Sequence, residues 1–232
     1  MPYYSPRKLP DLSHIKAVCF DVYGTVCPDE GIEEIGEYCR KRNIITELKN
    51  KAMEGKMSSE ESLARQLKEM GLTKGILKAF LDYCPLKLTD GIERLVASLR
   101  ANKIDIYLIS GDIFDLVVRV AKRLGIPEDH VYANRLIYDT YGAVIDFDRK
   151  QPISHSAGKA EVVASLKSKL SPDSGVLVIG ARATDVAAFP PADTFIGFGG
   201  IYEIQKVKDC AKYYFYSTDE IHRFLKDTAL IR

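Results

Sequence analysis

Ala17-Val18-Cys19-Phe20-Asp21-Val22-Tyr23-Gly24-Thr25-Val26 is an apolar run that delivers an acid into a Gly-Thr turn, with a tyrosine two positions beyond the acid. β-Branched and aromatic residues favour a strand. An Asp at the end of such a strand puts its carboxylate at the carboxyl edge of a sheet, where open α/β folds bind their ligands. Asp21 is therefore the candidate nucleophile. Tyr23 bears on which chemistry that nucleophile can perform, either as a contact to ligand or as packing over the strand end.

Working outward, strand and helix signals alternate as expected of a parallel sheet with crossovers. Residues 15–20 read as the first strand, 105–109 as another after a helix at 91–100, and 175–179 as a third after a helix at 159–170. Shorter strands follow at 194–197 and 212–215. Ser217 or Thr218 caps a closing helix, with Asp219 and Glu220 in its first turn, where negative charge meets the positive end of the helix dipole.

Between the first strand and Asp90 the pattern becomes helical only, at 30–41, 46–53, 60–70 and 74–81. An all-helical insertion there predicts a cap over the strand ends, of the kind that shields small substrates from water. The expected division is an α/β core from 1–29 and 86–232, with a helical cap at 30–85. Residues 137–144 read as a small β-hairpin turning near Gly142.

The chain has 232 residues, 46% hydrophobic, with a formal net charge of +1. That is enough to bury a core and too neutral for a nucleic-acid binder. No apolar run approaches the roughly 18 residues of a membrane span, and residues 1–8 carry charge with no apolar segment behind them, so they read as a loose arm rather than a secretory signal. The five cysteines are odd in number and scattered, which fits reduced thiols in the cytoplasm. Cys27 follows the Asp21 turn, but nothing near it in sequence lowers its pKa, and it reads as an ordinary loop residue. The four histidines have no carboxylate or serine partner in sequence and receive no role.

Four pieces fall at predicted sheet edges in chain order: Asp21 to Thr25, Ser110-Gly111-Asp112, Lys159 at a helix start, and Gly180-Ala181-Arg182-Ala183-Thr184-Asp185. Two carboxylates, a lysine, a hydroxyl and backbone amides could surround one small anionic metabolite. In this order they resemble the haloacid dehalogenase superfamily, most closely its phosphoserine phosphatases. The resemblance extends to Asp29-Glu30-Gly31-Ile32, Val131-Tyr132-Ala133-Asn134-Arg135-Leu136 and Pro190-Pro191-Ala192-Asp193-Thr194-Phe195-Ile196-Gly197-Phe198-Gly199-Gly200. It implies a Rossmann-like core with a helical cap and hydrolysis of a phosphomonoester through an aspartyl-phosphate with magnesium.

The chain departs from the family pattern where that chemistry would sit. The family's first motif reads D-x-D-x-T, and its second Asp serves as general acid and base; here the position is Tyr23. A tyrosine titrates near pH 10, too high for a base at neutral pH. The fourth motif begins with a magnesium-ligating Asp, and here that position is Ala181. Loss of one of two carboxylates weakens a site for an ion that demands near-octahedral oxygen ligation. Two carboxylates and a divalent cation leaving together keep the formal charge of the pocket unaltered. The haloalkanoic acid dehalogenases, which work without a metal, look like D-x-Y-G-T in this motif, as do Asp21, Tyr23, Gly24 and Thr25.

Substrate positions have moved too. Aligned on Ala52-Met53-Glu54-Gly55, the family's carboxylate-binding arginine falls at Gln66, beside the apolar face made by Leu63, Leu67 and Met70, while Arg65 points away. Met53 and Glu30 join Gln66 as candidate substrate contacts. The family's Ser-Gly-Gly has become Ser110-Gly111-Asp112, so that Asp112 either crowds the phosphate site or caps the helix that follows. Arg182 supplies either a planar anion-binding fork or a solvated loop cation.

The resulting expectation places Asp21, Tyr23, Lys159 and Asp185 in catalysis, and Glu30, Met53, Gln66, Ser110, Gly111, Asp112, Arg182 and Thr184 on substrate, with no metal and no cofactor. The function expected is that of a protein that has lost magnesium-dependent phosphatase chemistry and acts as a metal-independent hydrolase or transferase on a small acid. A catalytically inactive pseudophosphatase that binds a metabolite or partner, and a residual phosphoserine phosphatase, are the alternatives. Neither nucleic acid nor membrane is an expected partner, and a homodimer is compatible with the sequence.

Overall fold

The first strand, β1 (Ile15–Asp21), lies inside a six-stranded parallel sheet with β2 (Asp105–Ile113) on one side and β6 (Gly175–Gly180) on the other. The computed structural model describes residues 9–232, so the amino-terminal arm lies outside the described residues. Beyond β2 runs β3 (Val131–Asn134); beyond β6 run β7 (Thr194–Phe198) and β8 (Tyr213–Phe215). β1 is buried along almost its whole length because both faces of a parallel sheet are covered by crossover helices. Side-chain alternation then divides the core in two. Val18 and Phe20 face one apolar cluster and Ala17 and Cys19 the other.

The Val18 face packs on α5 (Ile92–Ala101), α6 (Phe114–Leu124) and α10 (Thr218–Asp227), and the Cys19 face on α7 (Gly158–Lys169). The closing helix is capped by Ser217, whose hydroxyl accepts the Glu220 N–H at 3.2 Å. Because all the strands are parallel and Phe20 sits opposite both Leu108 and Ile179, the carboxyl ends of β1, β2 and β6 share one edge. Asp21, Ser110 and the loop after Gly180 meet there.

The insertion after β1 folds as α1 (Gly31–Tyr38), α2 (Arg42–Met53), α3 (Ser59–Met70) and α4 (Lys74–Tyr83). Ser58 and Thr73 accept the N–H groups of Glu61 and Ile76 and so start α3 and α4, while Gly71, at φ 57°, ends α3. The hairpin is β4 (Leu136–Tyr138) and β5 (Val144–Phe147), with Gly142 at φ 84° in its turn. It is tied to the insertion by Lys74 N–H to Gly142 and Val144 N–H to Leu72, both 2.8 Å.

Several expected boundaries shift. The first insertion helix ends at Tyr38 rather than at residue 41, because the chain turns through Arg40 at φ 58°, and the second begins at Arg42. β2 continues past Ile109 through Ser110, Gly111 and Asp112, with an irregular register until Ile113 meets Asn134. The helix expected after Asp112 is α6, beginning at Phe114, while β3 and the short α9 (Gln205–Cys210) are additional to the expected elements. Among the described residues no helix is long and apolar enough to cross a membrane.

Candidate active site

Asp21 ends β1 and is 5% exposed. The turn beyond it is closed by the Val22 carbonyl, which accepts the N–H groups of Val26 and Cys27, and Gly24 turns the chain at φ 85°. Lys159, in the first turn of α7, crosses to this edge. Its Nζ donates to Asp21 Oδ1 and to Asp185 Oδ1, both at 2.6 Å. The second oxygen of Asp21, Oδ2, is buried with no hydrogen-bond partner.

Burial works against the charge on Lys159, but the Asp185 and Asp21 carboxylates outweigh it and hold the ammonium above its ordinary value. Burial first, and then the Asp21 charge, raise Asp185 against the pull of Lys159. Lys159 thus keeps two buried acids together. Asp185 sits in the short helix α8 (Ala183–Val186), and its Oδ2 accepts the Arg182 N–H at 2.9 Å. The Arg182 side chain turns back over the edge: its guanidinium bonds Glu30 Oε1, and Nε lies 3.7 Å from Asp21 Oδ2. Burial opposes its charge, and Asp21 and Glu30 reinforce it.

The resemblance implies magnesium at this edge, and the donors can be tested against it. Ala181 offers a methyl, and both Asp185 oxygens already accept hydrogen bonds, from Lys159 and from the Arg182 backbone. Among the described residues no group of three or more His, Cys, Asp or Glu side chains could hold a metal ion. The residues present do not fit the ion.

Tyr23 is 7% exposed, and its ring packs where α1 begins: a Cβ on Gly31 would lie 2.4 Å from the phenol oxygen and 2.9 Å from Asp112 Oδ2. Burial first, and then the Asp112 charge, push the Tyr23 pKa well above the ordinary value, so the phenol stays protonated at neutral pH. The cap role expected of Asp112 is not the one it takes. It is not the cap of α6, whose N-cap is Ile113; Oδ1 accepts the Ile113 N–H at 2.6 Å and Oδ2 accepts the Ile32 N–H of α1 at 2.9 Å. Burial lifts its pKa to about 7 against those two bonds.

The remaining candidates separate. Ser110 is buried and accepts the Asp112 N–H at 3.2 Å, while Gly111 is exposed with open space where a Cβ would point. Thr184 lies half-buried in α8. Gln66 faces inward as its helical position requires, but its amide is committed to Ser62 Oγ at 3.2 Å and Ile45 O at 3.4 Å within the insertion. Arg65 points outward onto Glu61. Met53, at the end of α2, is 61% exposed. Cys27 is buried with its thiol pushed up to about 12 by that burial, and His222, unpartnered in sequence, meets Ser98 Oγ at 2.8 Å in the fold.

Lys49, Tyr202 and Asn134 complete the site although the sequence reading passes over them. Lys49 Nζ lies 3.4 Å from Glu30, Tyr202 covers Gly24 and donates to the Pro28 carbonyl at 3.4 Å, and Asn134 Nδ2 donates to the Gly111 carbonyl at 2.7 Å. Only Asn134 had a signal, as the polar end of a short apolar run.

A family model described as haloacid dehalogenase-like hydrolase matches residues 15–193, and the chain belongs to that family. It is 39% identical over 215 residues to a phosphoserine phosphatase of Drosophila melanogaster, covering 90% of this chain and 80% of that one. To the phosphoserine phosphatase of Homo sapiens it is 39% identical over 198 residues, 85% of this chain and 88% of the relative. The crystal structure of a phosphoserine phosphohydrolase-like protein from Francisella tularensis superposes with a TM-score of 0.79 at 27% identity, covering 91% of this chain and all of that one. This breadth of likeness overturns the expectation of a metal-independent hydrolase or transferase that has lost phosphatase chemistry. That likeness covers 85–90% of this chain.

Proposed function

We propose that this protein is a phosphoserine phosphatase, transferring the phosphoryl group of phosphoserine to Asp21 and then to water. Support comes from the 39% identity to phosphoserine phosphatases over most of both chains. Asp21 carries the chemistry: one oxygen is fixed by Lys159 and the other is buried, unpartnered and turned toward Arg182. Such an oxygen is free to attack phosphorus as the ester P–O bond breaks.

In this reading Lys159 keeps Asp21 aimed, Ser110 and the bare peptide at Gly111 receive phosphoryl oxygens, and Glu30 faces the substrate's ammonium. Tyr23 donates its phenol proton in a hydrogen bond and does not act as base. The leaving serine oxygen takes its proton from water, and a second water cleaves the aspartyl phosphate to restore the carboxylate. The inserted helices act as a cap that keeps other water away. Buried, unpaired Cys19 and Cys27 support a reducing, cytosolic compartment.

The test is release of inorganic phosphate from phosphoserine, with and without added magnesium, by the wild type and by Asp21→Asn. Turnover that Asp21→Asn abolishes supports the reading, and absence of turnover in both conditions removes it.

A further inference from the structure

We propose that Arg182 is a phosphate-binding residue of this site, its guanidinium leaving Glu30 to hold a phosphoryl oxygen beside Asp21; the role rests on the phosphatase reading for its substrate and on geometry for its placement. The guanidinium lies between the two carboxylates that a phosphorylated amino acid must address. It bonds Glu30 at the start of the insertion, and Nε is 3.7 Å from the one Asp21 oxygen without a partner. A phosphoryl group positioned for attack by that oxygen comes within reach of the same guanidinium. A planar fork with several N–H donors suits phosphate oxygens better than a point charge does.

Two further features make the exchange feasible. The Arg182 backbone is pinned by Asp185, so the side chain can swing from a fixed base. Its side chain is 23% exposed, against 4% for Asp21 and 1% for Asp185, which puts it on the open side of the cluster. Glu30 is not stranded when Arg182 departs, because Lys49 stays within 3.4 Å of its other oxygen. A substrate ammonium can then take the vacated position. Arg182 thus balances the carboxylates in the free protein and the phosphoryl group in the bound one.

Inorganic phosphate is the probe, with binding measured by calorimetry on the full chain, because it carries no ammonium and needs no turnover. Arg182→Ala is expected to weaken phosphate binding by about tenfold or more, and Arg182→Lys to recover part of that loss. Glu30→Gln separates this role from a merely structural tie: releasing the guanidinium is expected to tighten phosphate binding by about twofold or more. Should Arg182 only brace the insertion, Glu30→Gln weakens binding as Arg182→Ala does, and the proposal falls. Equal affinity of wild type and Arg182→Ala, or no phosphate binding by the wild type, also overturns it. If Arg182→Ala does not fold, the contrast between Arg182→Lys and Glu30→Gln decides. Arg182-dependent phosphate binding without phosphoserine turnover leaves this role standing and removes the phosphatase reading.

Discussion

Asp112 Oδ2 accepts the backbone N–H of Ile32 at 2.9 Å, joining the end of β2 to the first turn of α1 across 80 residues of sequence. The carboxylate stabilises the amino-terminal end of the helix, where unpaired N–H groups and the dipole favour negative charge. Its position is costly, because burial and the nearby Glu30 outweigh the Ile113 and Ile32 N–H bonds and Lys49.

That cost predicts a pH dependence of stability. The folded pKa of about 7 lies above the ordinary 3.8, so the folded state binds the Asp112 proton more tightly than the unfolded chain. The contribution is complete below the unfolded value and is lost as pH rises through about 7. Between pH 4 and pH 8 the wild type is expected to lose up to about 4 kcal/mol relative to Asp112→Asn, measured by urea unfolding at each pH. Parallel curves for the two proteins would contradict it.

Among the described residues Lys159 is the one cation whose side chain hydrogen-bonds both buried acids. Lys159→Met leaves Asp21 and Asp185 facing each other without it, and a stability loss of about 3–5 kcal/mol at pH 7 is expected. Asp185 is already raised to about 6 by burial and the Asp21 charge, and without the ammonium it holds its proton more tightly still, so part of the loss should return at pH 5. Thermal unfolding of the variant at the two pH values checks this, and an equal deficit at both would argue that the lost lysine stem, rather than charge, is responsible.

Gly31 is required by a close approach rather than by its backbone angles. Gly31→Ala places a methyl against the Tyr23 ring and is expected to cost about 1–3 kcal/mol by overpacking. The pair Gly31→Ala with Tyr23→Leu should recover much of that loss. A double-mutant cycle with no coupling between the positions would show that α1 moves aside instead.

Much of this was legible from local rules. Strand β1 and the acid at its end follow from one apolar run, and the convergence of Asp21, Lys159 and Asp185 follows from parallel strands sharing an edge. The inward face of Gln66 and the outward face of Arg65 follow from helical periodicity. What escaped depends on long-range contact. Asp112 reads as a local helix cap, whereas its partner Ile32 lies in another element, and Lys49 reaches Glu30 only once α2 folds against α1. The extension of β2 through Ser110 to Ile113 breaks the usual turn after an apolar strand, because Asn134 on β3 continues the pairing. The expectation drawn from Tyr23 and Ala181 rested on two motif positions that speak to one step of chemistry, while the likeness to phosphoserine phosphatases covers 85–90% of the chain.

The covalent step proposed at Asp21 is the most direct point of attack. Acid quenching of the protein mixed with radiolabelled phosphoserine, followed by peptide mapping, should find hydroxylamine-sensitive label on Asp21 in the wild type and none in Asp21→Asn. Phosphate release with label on another residue, or the same turnover in Asp21→Asn, would contradict the account.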